Sequence, residues 1–232
     1  MIIENLLKGK LLRRYKRFLA DVQLGEEVVT AHCPNSGSMK SLLDEGNIAY
    51  ISKSNNPNRK LKYTLELIKT KNAVACVNTT LPNKIIYDAI SEKKLPMEFD
   101  SIRREVKYAK DSRIDILIEK GSDITYVEVK NVTLMEEDLP GVAQFPDAIT
   151  TRGQKHLQNL IDEVKKGNNA VMVYLINRTD CDEFKVAGHI DNKYLQLFNK
   201  AKEAGVKIIA CKSSIKEGKN AEIKVEKILE VF

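Results

Sequence analysis

A stretch of alternating apolar and charged residues, Ser112 to Val132, most constrains the fold of this chain. It reads SRIDILIEKGSDITYVEVKNV. On each side of a turn that contains Gly121, the alternation has the period of a β-strand, so the stretch predicts two strands paired as a hairpin. In that pairing Asp115 on the first strand lies beside Glu128 and Lys130 on the second. The hairpin therefore brings two carboxylates and one ammonium group together.

Two carboxylates and a lysine on paired strands are the side chains of a divalent-metal site. Asp115 and Glu128 supply hard oxygen ligands for Mg²⁺ or Mn²⁺, and Mg²⁺ keeps several waters that a substrate phosphate can replace. Lys130 can stabilise the charge that develops on a phosphoryl group, or orient an attacking water whose pKa the cation lowers. The alternative is a solvated strand face, because surface strands of many proteins carry Asp, Glu and Lys.

The segments around the hairpin predict the element order αβββαβ. They are a helix over residues 83–94, a strand over 102–108, a helix over about 151–166 and an apolar strand over 170–176. With Asp115, Glu128 and Lys130 in place, this order resembles the PD-(D/E)xK restriction-endonuclease-like nucleases. In those nucleases the helix after the hairpin often carries a residue that reaches the metal-bound water or a phosphate, and Gln154 holds that place here. One departure is that Ile114, not Pro, precedes the Asp, which leaves every ligand in place.

The first third of the chain predicts a small β-barrel. From Lys8 it reads as five closely spaced strands, interrupted after the second by the segment PNSGSMKSLLDEG. This pattern fits a partly open barrel of the OB type, which commonly binds single-stranded nucleic acid on aromatic residues beside a basic groove. Residues 1–80 hold 13 Lys and Arg against 7 Asp and Glu, whereas residues 81–232 hold 25 against 25, so the whole basic excess lies in the barrel. The alternative is a basic surface that serves only solubility.

Candidate nucleic-acid contacts lie in the first barrel strand, in the loop before the fourth strand and at the start of the helix at residue 151. The candidates are Arg13, Arg14, Tyr15, Lys16, Arg17, Arg59, Lys60, Arg152 and Lys155. The first strand, read as continuous over GKLLRRYKRFLADVQL, places Arg14, Lys16 and Phe18 on one face and the intervening residues on the other. A solvated basic edge strand is the alternative for this segment.

Three further expectations concern the second domain, whose boundary we place near residue 82. Asn83 is a candidate cap of the first helix, and Glu105 is a candidate third metal ligand, with pairing to a neighbouring base as the alternative. Residues 134–153 read as a long irregular loop, typical of a flap over a substrate. In that loop Asp147 is interpreted as a turn residue. His156 is expected to have a surface or capping role.

Composition excludes several classes of protein. The cysteines form no CxxC pair and lie in apolar runs, which predicts buried reduced thiols rather than disulfides or zinc ligands. No stretch reaches the roughly 20 apolar residues that span a bilayer, and the first residues lack a signal-peptide core, so we expect a cytoplasmic protein without a membrane segment. Gly-rich phosphate loops and GxSxG elbows are absent, which argues against nucleotide hydrolases and serine esterases.

Longer phrases carry a closer resemblance. The chain contains, in this order, RYKRFLADV, TAHCPNSGSM, NPNRKLKYT, the hairpin RIDILI…YVEVKNVTL and FPDAITTRGQKHLQNL. Together these phrases resemble the sugar fermentation stimulation protein family. The resemblance implies an N-terminal OB-like domain, a C-terminal restriction-endonuclease-like domain and a role in binding DNA.

The sequence thus predicts a protein of mixed α+β and α/β class with two domains. Residues 1–82 form an OB-like five-stranded β-barrel, and residues 83–232 form an αβββαβ restriction-endonuclease-like domain. The predicted function is binding of DNA, single strands included, with Mg²⁺- or Mn²⁺-dependent phosphodiester hydrolysis. Asp115 and Glu128 hold the metal, while Lys130 and Gln154 act on the substrate. The alternative is a noncatalytic DNA-binding regulator of sugar metabolism genes.

Overall fold

The computed structural model describes residues 1–109 and 112–231. A two-residue strand, β1 (Ile2–Ile3), precedes the N-terminal barrel. The barrel strands are β2 (Leu7–Tyr15), β3 (Leu19–Leu24), β4 (Glu27–His32), β5 (Ile48–Lys53), β6 (Tyr63–Lys69) and β7 (Val74–Cys76). A single 3₁₀ turn, Lys40–Leu42, lies between β4 and β5.

Five of these strands close into a ring. β2 pairs with both β3 and β5, β3 pairs with β4, and β5 pairs with β6. The ring closes where Ala31 of β4 pairs in parallel with Tyr63 of β6, and β7 adds to the outer edge of β6. Leu11, Ile51 and Leu65 lie in its fully buried interior. The predicted OB-like five-stranded barrel is confirmed, and it is closed rather than partly open.

The first predicted strand is wrong in one respect, because the chain turns back within it. Lys16 (φ 48°) and Arg17 (φ 62°) both adopt left-handed conformations and make a tight hairpin between β2 and β3, which pair antiparallel through Tyr15 and Leu19. Turns with consecutive positive φ values usually contain Gly, Asn or Asp, and their absence here hid the break. The expected sharing of one strand face by Arg14 and Lys16 therefore does not hold.

The second domain is a seven-stranded mixed sheet with helices on both faces. Its elements are α1 (Pro82–Ser91), β8 (Ser101–Ala109), β9 (Ser112–Lys120), β10 (Asp123–Val132), β11 (Val142–Phe145), α2 (Thr151–Lys165), β12 (Asn169–Ile176), β13 (Glu183–Val186), α3 (Asn192–Ala204), β14 (Lys207–Lys216) and β15 (Ala221–Leu229). The sheet order is β1-β15-β14-β12-β10-β9-β8. The predicted restriction-endonuclease-like order is present, with β11 inserted before α2.

The segment over residues 134–153 is more ordered than a flap. Within it β11 pairs in parallel with β13 and forms a separate two-stranded sheet. Leu134 forms a bridge to Gln144, which fixes the base of the loop. The apolar residues of β11 alternate too briefly to distinguish a strand from a loop in the sequence alone.

The central strand β12 is buried on both faces, as its continuous apolar sequence requires. Val171, Val173 and Leu175 pack in the core that contains α1. Met172 and Tyr174 pack in the opposite core with α2 and α3. The core around α1 also contains barrel residues, so the barrel and the sheet share one apolar interior.

Polar contacts join the barrel to the second domain as well. The Cys76 amide donates to the Asn177 carbonyl at 2.9 Å, and the fully buried Arg178 donates to Ser41 Oγ at 3.0 Å. The chain also crosses back at its start, because β1 pairs with β15 in the second domain. These contacts fix the position of the barrel relative to the sheet.

Two further facts bear on the sequence expectations. Across residues 1–109 and 112–231, no helix is long and apolar enough to span a membrane. All four cysteines are buried free thiols.

Candidate active site between the barrel and the sheet

The two predicted carboxylates lie side by side on the β9–β10 hairpin. The hairpin pairs in the register Val127 to Ile116, which places Glu128 and Asp115 next to each other across the two strands. Asp115 Oδ2 accepts a hydrogen bond from the Val129 amide at 2.8 Å. Both carboxylates line a cavity of about 400 Å³ whose wall contains residues of the barrel and of the second domain. The predicted pairing of strand faces thus occurs in the structure.

Lys130 and His156 surround one oxygen of Glu128. Lys130 Nζ donates to Glu128 Oε1 at 2.7 Å, and His156 Nδ1 contacts the same oxygen. On the other side of the ring, Arg152 Nε lies 3.4 Å from His156 Nε2, so the imidazole is held between Arg152 and the Glu128 carboxylate. The carboxylate is thereby held in one orientation.

The two carboxyl groups have opposite electrostatic environments. Burial raises the pKa of Glu128, which is 1% exposed, but the charge of Lys130 and the contact with His156 outweigh burial and hold the pKa below its usual range. Burial also raises the pKa of Asp115, and the neighbouring Glu128 charge raises it further, to about 7. Glu128 is therefore ionised at neutral pH, whereas the ionised form of Asp115 is disfavoured there and a cation would stabilise it.

The residues present fit a hard divalent cation. Glu128 Oε2 is buried and has no hydrogen-bond partner among the described residues, and Asp115 faces the same cavity. A carboxylate oxygen without a hydrogen-bond partner and a second carboxylate beside it form a suitable pair of ligands for Mg²⁺. Within residues 1–109 and 112–231, no cluster of three or more His, Cys, Asp or Glu side chains is arranged to hold a metal. The remaining ligands would accordingly come from water and substrate.

Glu105 reaches this pair only through Asn83. Asn83 Nδ2 donates to Asp115 Oδ1 and to Glu105 Oε1, both at 2.8 Å. Glu105 is exposed and does not line the cavity. Asn83 is also not the helix cap, since α1 begins at Pro82 and the capping position is Leu81. Its amide instead orients Asp115, a role that the capping interpretation missed.

Gln154 lies away from the cluster, which corrects the geometry expected for it. Its Nε2 donates to both carboxylate oxygens of Asp191 at 3.0 Å, and Asp191 caps α3 by accepting from the Tyr194 amide. Packing of α2 against α3 turns this buried side chain away from the cavity. His156, two residues further along α2, lies in the cluster instead. Helical spacing does not distinguish the two residues, because His156 precedes the buried Leu160 and Gln154 precedes the buried Leu157 and Ile161.

The candidate nucleic-acid residues fall into three groups: those that hydrogen-bond within the barrel, those on the cavity wall and those outside it. Arg13 donates to Asp21 at 2.8 Å and stacks on Tyr15, and Arg14 donates to three backbone carbonyls, so these side chains stabilise the barrel. Arg17 and Arg152 line the cavity. Outside the cavity wall lie the other candidates, Lys16, Arg59, Lys60 and Lys155.

A barrel loop completes the cavity wall. Asn35, Ser36 and Gly37 line it opposite the segment that precedes α2. Asp147 of that segment packs against Gly37 so closely that a Cβ on Gly37 would lie 2.0 Å from Asp147 Oδ2. Asp147 is thus a contact between the two domains rather than only a turn residue.

Comparisons with known proteins match this two-part architecture. The family model described as the SfsA N-terminal OB domain matches residues 12–77, and the model described as the sugar fermentation stimulation protein RE domain matches residues 80–219. The chain belongs to the sugar fermentation stimulation protein family. The resemblance seen in the sequence is therefore confirmed.

Relatives in this family cover nearly the whole chain. The sugar fermentation stimulation protein homolog of Pelagibacter ubique is 49% identical over 229 residues, which are 98% of this chain and 97% of the relative. The homolog of Synechocystis is 48% identical over 214 residues, 89% of each chain. Among solved structures, SfsA of Pyrococcus furiosus in complex with Ca²⁺ superposes with a TM-score of 0.89 at 28% identity and covers 100% of this chain and 98% of its own.

Proposed function

We propose that this member of the sugar fermentation stimulation protein family binds DNA and hydrolyses its phosphodiester bonds with a divalent cation. One observation carries the proposal. Asp115 and Glu128 lie side by side next to Lys130, in a cavity whose wall also presents Arg17 from the barrel and Arg152 from α2. A pure DNA-binding surface gains nothing from buried carboxylates that repel phosphate.

Asp115 and Glu128 would hold the cation, which supplies Lewis-acid activation of a phosphoryl oxygen and lowers the pKa of a bound water. The protein's own groups fix the geometry. Asn83 and the Val129 amide orient Asp115, while His156 and Lys130 orient Glu128. The requirement for a rigid ligand pair is therefore satisfied before substrate binds.

Lys130 has a second role at the reacting phosphate. Its ammonium is held beside the carboxylates by Glu128 Oε1 and lies 3.0 Å from His156 Nδ1. A positioned cation stabilises negative charge on the phosphoryl oxygens more in the transition state than in the ground state, because the charge there is greater.

The relatives support a divalent cation. The Pyrococcus furiosus protein was solved in complex with Ca²⁺, and Ca²⁺ and Mg²⁺ both prefer oxygen ligands. The family name associates these proteins with sugar fermentation, and the basic excess of the barrel would bind DNA with or without cleavage. A noncatalytic DNA-binding regulator is hence the second candidate function.

Cleavage assays separate the two candidates. Protein purified free of host nucleases is incubated with labelled single-stranded and duplex DNA in Mg²⁺, Mn²⁺ or EDTA, beside Glu128→Gln as the inactive control. Metal-dependent cleavage that Glu128→Gln lacks is the expected result. Binding without cleavage in every condition would support the regulator, and no binding of any DNA would overturn both candidates.

A further inference from the structure

The hairpin between β2 and β3 presents its tip in a fixed conformation. Lys16 and Arg17 both have left-handed φ values. Arg14 stabilises the hairpin by donating hydrogen bonds to the Arg17 carbonyl at 2.8 Å and to the Asn35 carbonyl at 2.6 Å. A side chain at the tip therefore starts from a preorganised backbone, which lowers the entropy cost of binding a ligand.

Arg17 at this tip is a free cation in a cavity lined with carboxylates. Among residues 1–109 and 112–231, no acidic side chain forms an ion pair with Lys16 or Arg17, whereas Arg13 in the same hairpin pairs with Asp21. Arg17 lines the cavity that contains Asp115 and Glu128. An unpaired guanidinium at that place is suited to a phosphate group.

Phe18, the next residue, is an exposed aromatic side chain. It is 46% exposed and stacks on His32 of β4, with ring centroids 6.4 Å apart and an interplanar angle of 22°. An exposed ring supported from behind by a second ring is a platform for a nucleobase. A base inside a duplex has both faces covered by its neighbours, so only an unstacked base can use such a platform.

We propose that the segment Lys16–Phe18 guides a single DNA strand into the cavity, with one base stacked on Phe18 and an adjacent phosphate bound by Arg17. This inference rests on the proposed function and names its substrate class as single-stranded DNA. The barrel then acts as part of the site rather than as a separate DNA-binding module. The site presents an acidic pair to the reacting phosphate and a basic, aromatic hairpin to the strand beside it.

The stacking contact is tested by binding without cleavage. Fluorescence anisotropy in EDTA measures the affinity of the full chain for a labelled oligothymidylate of about 10 nucleotides, for a duplex of the same length and for a strand of the same length with abasic sites in place of its bases. Phe18→Ala should weaken binding of oligothymidylate by about 5- to 150-fold, while Phe18→Trp retains it. Phe18→Ala should leave binding of the abasic strand unchanged. Val28→Ala, which removes another exposed apolar side chain of the barrel, is the matched control and should change neither.

The phosphate contact is tested by salt. Arg17→Ala should weaken binding of oligothymidylate and the abasic strand alike and lower the slope of log K against log salt by about 0.7, as expected for one lost phosphate contact on a single strand. Lys71→Ala, an exposed charge in the turn between β6 and β7, is the charge-matched control and should leave that slope unchanged.

The outcomes distinguish this inference from the proposed function. If wild-type protein binds duplex more tightly than the single strand, or Phe18→Ala weakens binding of the abasic and base-bearing strands equally, the strand-guide assignment is overturned while metal-dependent cleavage stands. If the protein cleaves no DNA but Phe18→Ala selectively weakens binding of the base-bearing strand, the strand-guide assignment stands and the proposed hydrolysis is wrong.

Discussion

Lys130 donates to Glu128 from two residues further along the same strand, with Nζ 2.7 Å from Oε1. The alternation of β10 puts both side chains on one face, and their short separation makes the lysine the nearest charge that compensates a carboxylate with 2% side-chain exposure. The lysine therefore has a structural effect on Glu128 as well as the catalytic role proposed for it. These two effects can be separated by experiment.

Replacing Lys130 should uncouple cation binding from cleavage. Lys130→Met keeps the apolar part of the side chain, so Mn²⁺ affinity measured by isothermal titration calorimetry should stay similar or become tighter, because a nearby positive charge is lost. Cleavage should fall by about 100-fold or more. Glu128→Gln should weaken Mn²⁺ binding because a charged ligand oxygen is lost. Lys165→Met, at an exposed lysine at the end of α2, is the control and should change neither quantity; cleavage by Lys130→Met at the wild-type rate would remove Lys130 from the mechanism.

His156 should matter for the site, whereas Gln154 should matter for stability. His156→Ala frees the Glu128 carboxylate, and loss of such an orienting partner lowers metal affinity or activity by about 10- to 100-fold. Gln154→Ala removes the amide that bonds Asp191 and should lower the melting temperature while kcat at 25 °C stays near wild type. Calorimetry measures the melting temperature of each variant, and single-turnover cleavage measures its activity. A large loss of kcat in Gln154→Ala at unchanged stability would return Gln154 to the site.

The difference between these two residues shows where sequence reasoning stops. The hairpin was predictable because strand alternation alone decides which side chains of β9 and β10 share a face. The choice between Gln154 and His156 depends on how α2 is rotated, and that rotation is set by α3 through Asp191, which is far away in sequence. A local helical pattern contains no information about this partner.

The barrel is a second example of a feature that the sequence predicts only in part. Its strands were predictable from alternation, and closure came from the pairing of β4 with β6. The turn at Lys16 and Arg17 was not predictable, because neither residue favours a positive φ and the hydrogen bonds of Arg14 that hold the turn reach a loop 21 residues away. Free and paired arginines are also indistinguishable in sequence until the turn is known.

Asp191 should make a pH-dependent contribution to stability. Burial raises its pKa, but hydrogen bonds from two backbone amides and from Gln154 outweigh this, and the pKa lies below its ordinary value. The stabilisation is therefore present above the unfolded-state pKa of about 3.9 and is lost as pH falls through the lower folded-state value. Asp191→Asn should be less stable than wild type by about 1–3 kcal/mol at pH 7.

Urea unfolding of both proteins between pH 7 and pH 3 measures that difference. It should narrow as pH falls below about 4, because the wild-type carboxylate is then protonated in the unfolded state and begins to be protonated in the folded state. Asp123→Asn changes an exposed carboxylate at the first residue of β10 and is the control for general charge effects. A gap between wild type and Asp191→Asn that stays constant down to pH 3 would mean that the charge of Asp191 is irrelevant and only its shape matters.

The close approach of Gly37 to Asp147 predicts a coupling across the domain boundary. A Cβ on Gly37 would lie 2.0 Å from Asp147 Oδ2, so Gly37→Ala must displace either the carboxylate or the barrel loop and should lose about 1–3 kcal/mol of unfolding free energy. Asp147→Ala removes the atoms in conflict. In the Asp147→Ala background, Gly37→Ala should change the unfolding free energy by close to zero. A double-mutant cycle by urea unfolding would then give a coupling energy about equal to the loss caused by Gly37→Ala alone.

Gly188→Ala, which meets Leu195 within the second domain, is the control and should lower the unfolding free energy by the same amount in both backgrounds. If Gly37→Ala lowers the unfolding free energy equally with and without the Asp147 side chain, the barrel loop is not held by its contact with Asp147. Another contact would then have to hold this part of the cavity wall in place.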